Sequence, residues 1–340
     1  MEKPLVKVLI IHTYGIGDII MAIPMVKYLK KIHPEFEIDL FTTNKGSASL
    51  MESQPFFDHI YFSPRSMKGL YSILHFLRKK KYDYSIVSSI SNASIPLKHG
   101  LITLFINANN RFGEYINYPV PFYTKTQKFS QSVHRVISNI GLIKLIVKDI
   151  IDRIDDIYPE LALTDTLESF SKEWLDSRCL SSQRMLLFHV GSSKGGIHRR
   201  WGEDKFVDLI MKLQKETWQT VIISGEEELA ESRYVADRTH SEMLCHHSLI
   251  EVFSVMKRSY AFINADSGLG HLASAAGIKV FSLFGPGDEQ KTSPYAKESY
   301  VIRNETSKCQ KCLYPVKGCT MECMKGLSVE SVYQEIKSRL

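Results

Sequence analysis

The chain has 340 residues, 44% of them hydrophobic and 24% charged, the composition of a soluble globular protein. That length exceeds one ordinary core and calls for two domains, while no uncharged apolar run reaches the ~18 residues a membrane helix needs. The net charge of +6 is uneven: residues 1–150 hold 19 Lys/Arg against 10 Asp/Glu and the remainder 24 against 27, so the basic first half suits an anionic partner.

Val6 to Ile11 reads as a first buried strand. Lys7 interrupts the apolar run and no small-residue cleavage site follows, so it is not a signal peptide. Six cysteines without a secretion signal indicate a reducing cytoplasm, and thiols or metal ligands instead of a disulfide framework. Helical spacing covers Ile19 to Leu29, with Pro24 as a kink. Strands are expected at Glu37 to Phe41, Ile60 to Phe62 and Tyr84 to Val87, with a helical pattern at Leu70, Ile73, Leu74 and Leu77. Residues 112–135 are aromatic, polar and poor in period, and read as loops over a cleft, with or without a short helix; Ile150 to Asp176 is acidic and reads as a bridge. The alternation then restarts. Strands are expected at Met185 to His189, Val221 to Ser224, Tyr260 to Ile263 and Val280 to Phe284. Helices are expected at Phe206 to Glu216, Leu229 to Arg238, Leu249 to Met256 and Gly270 to Ala276, and Val329 to Leu340 closes the chain.

Strands separated by helical patterns mean right-handed βαβ units. The fold class is therefore α/β, with two Rossmann-like doubly wound domains facing across a cleft. The expected divisions are residues 1–165, residues 166–325 and a closing helix at 326–340. Ligands of such sheets bind beyond the carboxyl ends of the strands, where Asp18 and Asp266 both stand.

Asp266-Ser267-Gly268-Leu269-Gly270-His271 follows a strand and opens a helix. Free amides and the positive end of the helix dipole make such a turn an anion site. Ser267 adds a hydroxyl and His271 a ring. Ser192, Ser193 and Lys194, followed by His198, Arg199 and Arg200, bring small hydroxyls and cations that suit a diphosphate, though no P-loop pattern is present. Glu227 and Glu228 follow another strand; they are either the acidic first turn of a helix or acceptors for ribose hydroxyls. Asp18, in Gly15-Ile16-Gly17-Asp18, is either a helix cap or a general base. The full dinucleotide fingerprint is broken at Ile20, which weakens an oxidoreductase reading.

Arg78, Lys79, Lys80 and Lys81 end a helical pattern. They are either a solvated helix end or a surface for anionic lipid or an acidic acceptor. Aromatic interleaving for base stacking is not evident there, so no nucleic-acid partner is expected. Cys309, Cys312, Cys319 and Cys323 have ligand-like spacing for a structural Zn or Fe, or are structural thiols. No D-x-D pair is present to hold a divalent ion on a diphosphate.

Together GIGDIIMAIP (from Gly15), KGGIHRRW (from Lys194), SGEEE (from Ser224), DSGLGHLASAAG (from Asp266) and FGPGDEQKTSPY (from Phe284) resemble glycosyltransferase family 9, the ADP-heptose:lipopolysaccharide heptosyltransferases. The resemblance implies the GT-B fold and an inverting transfer that requires no metal cofactor. The donor would be an ADP-sugar and the acceptor a lipid-linked core sugar or, in some relatives, a protein hydroxyl. It implies that Asp18 is the base, that Ser192, Ser193, Arg199, Ser267, Gly268 and His271 surround the diphosphate, and that Glu227 or Glu228 holds the ribose. The expected location is cytoplasmic, or peripheral at the inner face of the bacterial inner membrane. One departure stands out: the family's Lys-x-Trp-Pro reads Arg199-Arg200-Trp201-Gly202 here, which would loosen the start of the following helix.

Overall fold

The computed structural model describes residues 5–64, 66–88, 95–115, 117–128, 130, 132–147, 157–192, 194–307, 311–312 and 318–340. Two compact units divide the chain, Met1–Ala162 and Leu163–Leu340.

The first unit runs β1 (Lys7–His12), α1 (Ile16–Ile32), β2 (Glu37–Thr42), α2 (Lys45–Met51), β3 (His59–Phe62), α3 (Met67–Lys79), β4 (Tyr84–Val87), α4 (Ile95–Ile106), β5 (Asn110–Tyr115), β6 (Lys125–Lys128) and α5 (Arg135–Ile143). Its six strands form one parallel sheet in the order β3-β2-β1-β4-β5-β6. β1 is buried on both faces, as its unbroken apolar run requires. α1 continues through Pro24, whose side chain is buried in the helix.

The second unit runs α6 (Asp165–Asp176), β7 (Met185–His189), α7 (Glu203–Gln214), β8 (Gln219–Ser224), α8 (Leu229–Thr239), β9 (Glu242–Cys245), α9 (Leu249–Met256), β10 (Ala261–Ala265), α10 (Gly268–Ala276), β11 (Lys279–Phe284), α11 (Glu289–Thr292), β12 (Ser299–Arg303), α12 (Glu322–Lys325) and α13 (Val329–Lys337). Its parallel sheet has the order β12-β11-β10-β7-β8-β9. Numbered within each unit, the two strand orders are the same, that of a nucleotide-binding doubly wound sheet.

Three sequence expectations change. Residues 112–135 are not loops alone: β5 and β6 extend the first sheet, and Gly113 lets Tyr123 lie flat on the strand, since a Cβ there would meet its ring at 2.4 Å. In the acidic bridge, residues 150–156 lie outside the described residues, and Asp165–Asp176 is a helix that buries Trp174 and Leu175 and packs on α9. Finally, Gly202 does not loosen a helix start. It adopts φ +113°, which proline, locked near −65°, cannot reach. Trp201 beside it is buried, packs edge-on against Phe206 at 5.1 Å and donates its indole N–H to the Leu327 carbonyl at 2.9 Å. α13 adds Val332 and Ile336 to that same core.

Candidate functional site

In the first sheet the strand order reverses between β1 and β4, where such folds place their ligands. The register sets Ile11 against Val87, so His12 meets Ser88, with Nδ1 2.9 Å from the serine Oγ. His12 Nε2 lies 3.2 Å from the Gly15 carbonyl. A carbonyl only accepts, so Nε2 carries the proton and Nδ1 accepts from the serine hydroxyl. The ring is fully buried, and burial pulls its pKa down from 6.5 to about 4. A neutral histidine thus buckles the glycine turn to the sheet.

That turn presents Asp18 in the first turn of α1, where the helix dipole favours a carboxylate. Its Oδ2 accepts the Gly15 amide at 3.3 Å, so the capping role left open by the sequence is occupied. Capping does not exhaust the group. Tyr14 is half-buried, and its hydroxyl is buried and unbonded among the described residues. Burial and then the Asp18 charge raise its pKa, and Arg135 opposes them. Burial weakens the charge on Arg135, while Glu114, Asp18 and Tyr14 favour it. Fully buried Glu114 lies 3.9 Å from Arg135 Nη1 and accepts from Gln127 Nε2 at 2.9 Å and from the Ser138 hydroxyl. The buried Arg135 guanidinium thus feels both the Asp18 and the Glu114 carboxylates.

The second sheet reverses between β7 and β10. The register pairs Asn264 with His189, which sets the ends of both strands side by side. His189 Nε2 faces Glu228 Oε1 at 3.1 Å and Nδ1 faces the Ser267 Oγ at 3.2 Å. The Ser267 Oγ also accepts from Asn264 Nδ2 at 3.1 Å. The Ser267 hydroxyl thus ties the start of α10 to both strand ends. Among the described residues the amides of Gly268 and Leu269, in the first turn of α10, take no acceptor.

Arg199 stands next to that turn. Its Nη1 lies 3.4 Å from Asp266 Oδ2, and its Nε is buried without a hydrogen-bond partner among the described residues. Asp266 is buried; burial raises its carboxyl pKa, with the charges of Arg199 and His198 pulling it back. The loop after β11 closes on it so tightly that a Cβ at Gly287 would lie 2.5 Å from Oδ2. The Asp266 carboxylate thus lies against Arg199.

Glu228 is likewise partly committed. Oε1 takes the His189 N–H and the Gly225 amide at 3.0 Å, and the His189 bond, ahead of the opposing effect of burial, holds its pKa below the ordinary value. Glu227 is exposed. Ser192 is buried and tied to Arg200, whose Nη2 donates to its carbonyl at 2.8 Å and whose Nε donates to its Oγ at 3.2 Å. Arg200 also pairs with Glu231. Of the two adjacent arginines, Arg200 braces the loop and Arg199 carries the unmet N–H. His271 is buried in α10, Gly268 is its first residue, and Lys194 opens a 3-10 turn ending at Arg199. Ser193 and the Lys194 side chain lie outside the described residues.

Arg78 donates to the Phe105 carbonyl at 3.1 Å and lies over that ring, whereas the Lys80 ammonium sits 5.7 Å from the Tyr61 and Phe76 rings. Lys79 and Lys81 are exposed. Cys309 lies outside the described residues; Cys312 is exposed, Cys319 half-buried and Cys323 buried. Cys323 lines a cavity of about 180 Å³ with Arg303, Lys311 and Glu289. Among the described residues the cysteines do not gather into a group with metal-ligand spacing.

Sequence reasoning missed His12, Arg135, Glu114, His189 and Asn264. None belongs to a short motif: His12, Glu114, His189 and Asn264 are carried by β1, β5, β7 and β10, and Arg135 opens α5.

Comparison with known proteins decides the family. The profile of glycosyltransferase family 9 (heptosyltransferase) matches residues 70–325. The chain belongs to this family. It is a glycosyltransferase with the GT-B fold, and its matched span includes Arg199, Glu228 and the α10 turn. A lipopolysaccharide heptosyltransferase 1 from Campylobacter coli is 23% identical over 295 residues, 82% of this chain and 84% of that protein. The structure of ADP-heptose lipopolysaccharide heptosyltransferase II from Escherichia coli superposes with a TM-score of 0.77 at 20% identity, covering 98% of each chain. A family 9 glycosyltransferase from Veillonella parvula gives 0.84 at 18% identity, over 99% of this chain and 98% of the other. Among the described residues no helix is long and apolar enough to cross a membrane.

Proposed function

We propose that this family 9 chain moves a heptose from an ADP-sugar to a hydroxyl of a lipid-linked lipopolysaccharide core, with inversion and without a metal cofactor. The observation that carries the reading is the pairing of unmet donors at the second switch point. The buried Arg199 Nε and the first amides of α10 stand where a diphosphate is expected. Leaving such a guanidinium N–H unsatisfied costs ~1–3 kcal/mol, which an anion would restore. The names of the relatives supply the nucleotide and the sugar.

In this mechanism Asp18 takes the proton of the acceptor hydroxyl. The acceptor oxygen forms its bond to the anomeric carbon on the face opposite the diphosphate. The bond from that carbon to the β-phosphate oxygen breaks, and ADP leaves with the electron pair. Arg199 and the α10 amides take up the charge that develops on the leaving oxygen. A positioned base contributes roughly 10²–10⁴-fold, and the charge of Asp18 and that of the Arg135 guanidinium attract one another. The Oε2 of Glu228 is the acceptor offered to the ribose hydroxyls.

The test is turnover of purified protein with ADP-heptose and a deacylated core acceptor. The reading expects one heptose added per acceptor and stoichiometric ADP. Transfer from a UDP- or GDP-sugar in preference to ADP-heptose would contradict the donor assignment.

A further inference from the structure

We propose that the outer face of α3 and α4 is the surface on which the first unit lies against an anionic lipid bilayer. This rests on the reading of a lipid-linked acceptor. Met67 and Tyr71 on α3, and Leu97, Leu101 and Leu104 on α4, are between 41% and 84% exposed. Within each helix they stand three or four residues apart, so they share one outward side of it. The two helices are joined: α3 packs on α4, and the rings of Tyr71 and Phe105 are 6.0 Å apart.

The charge pattern names the partner. Lys68, Arg78, Lys79 and Lys98 are exposed on the same two helices. Residues 59–113 contain one acid, Asp83, and its carboxylate accepts the Lys7 amide at 2.9 Å. An apolar face edged by cations and free of acids matches a headgroup layer of negative sign. A second copy fits poorly, because a two-fold interface would set these cations against themselves.

The same helix reaches the chemistry. His99, on the buried side of α4, lies 2.6 Å from the Thr13 hydroxyl, and its ring is 5.5 Å from that of Tyr14. α4 therefore carries the outward leucines on one side and touches the turn that presents Asp18 on the other. An acceptor anchored in the bilayer is delivered to the base by the face that binds the bilayer.

The experiment is co-sedimentation of the full chain with vesicles of equimolar phosphatidylglycerol and phosphatidylcholine, and with phosphatidylcholine alone. Binding is expected on the first and weak on the second. The triple variant Leu97→Gln, Leu101→Gln, Leu104→Gln should keep its melting temperature and its turnover of a deacylated acceptor. It should lose about ten-fold or more in vesicle binding, and it should lose turnover of acceptor embedded in the vesicles. Lys68→Gln and Lys79→Gln should each weaken binding by roughly five-fold. Equal binding by the triple variant, or no binding by the parent chain, overturns the proposal. So does a dimer in sedimentation that the triple variant dissolves. Vesicle binding without turnover of the deacylated acceptor would instead fault the transferase reading alone.

Discussion

His12 offers a test of the buckle that holds the Asp18 turn. Its pKa is about 4 in the folded chain and 6.5 in the unfolded one. Between those values the unfolded chain takes up a proton that the native ring refuses. The stability this group supplies is thus complete above pH 6.5 and is lost as pH falls toward 4. Linkage makes that loss about 2 kcal/mol between about pH 7.5 and about pH 5, and about 3 kcal/mol below pH 4. His12→Gln keeps a donor and an acceptor but does not titrate. Urea unfolding followed by far-UV circular dichroism reads both units, whereas Trp174, Trp201 and Trp218 all lie in the second. The dichroism transition of the parent should therefore lose about 2 kcal/mol more than that of His12→Gln on acidification. The tryptophan transition should shift equally in both proteins. An identical pH dependence of the dichroism transition in the two would refute the neutral, buried buckle.

Three further outcomes follow from the second unit. Gly202→Pro restores the family's usual residue yet should destabilise by more than about 1 kcal/mol in tryptophan-detected unfolding, because φ +113° is closed to proline; an unchanged midpoint would contradict the backbone assignment. Gly191→Ala places a Cβ 2.5 Å from Glu228 Cβ and Cγ, and should cost ~1–3 kcal/mol in the same assay. Arg199→Gln should weaken ADP binding by about 1.5–3 kcal/mol in calorimetry, and an unaltered affinity would remove Arg199 as the diphosphate clamp.

The central strands were legible because burial on both faces leaves an unbroken apolar run, as in β1, β7 and β10. β6 and β9 escaped because KTQK and EMLC carry no such run. In β5, Asn110, Arg111 and Glu114 break the pattern. The site divides the same way. Asp18, Arg199 and the α10 turn are adjacent in sequence to glycines that flag a strand-to-helix turn. Their partners are not: His12 meets Ser88 across 76 residues and His189 meets Glu228 across 39. Asp266 stands just past β10, and its buried carboxylate lies 3.4 Å from Arg199 Nη1. Only the folded register shows which end-of-strand group faces solvent and which braces its neighbour.

The most direct measurement is Asp18→Asn, assayed both for heptose transfer from ADP-heptose and for ADP affinity by calorimetry. The amide keeps the size and the capping contact to Gly15 but takes no proton. Transfer should fall by roughly 10²-fold or more, with ADP affinity within a few-fold of the parent. Transfer at the parent rate would contradict Asp18 as the base.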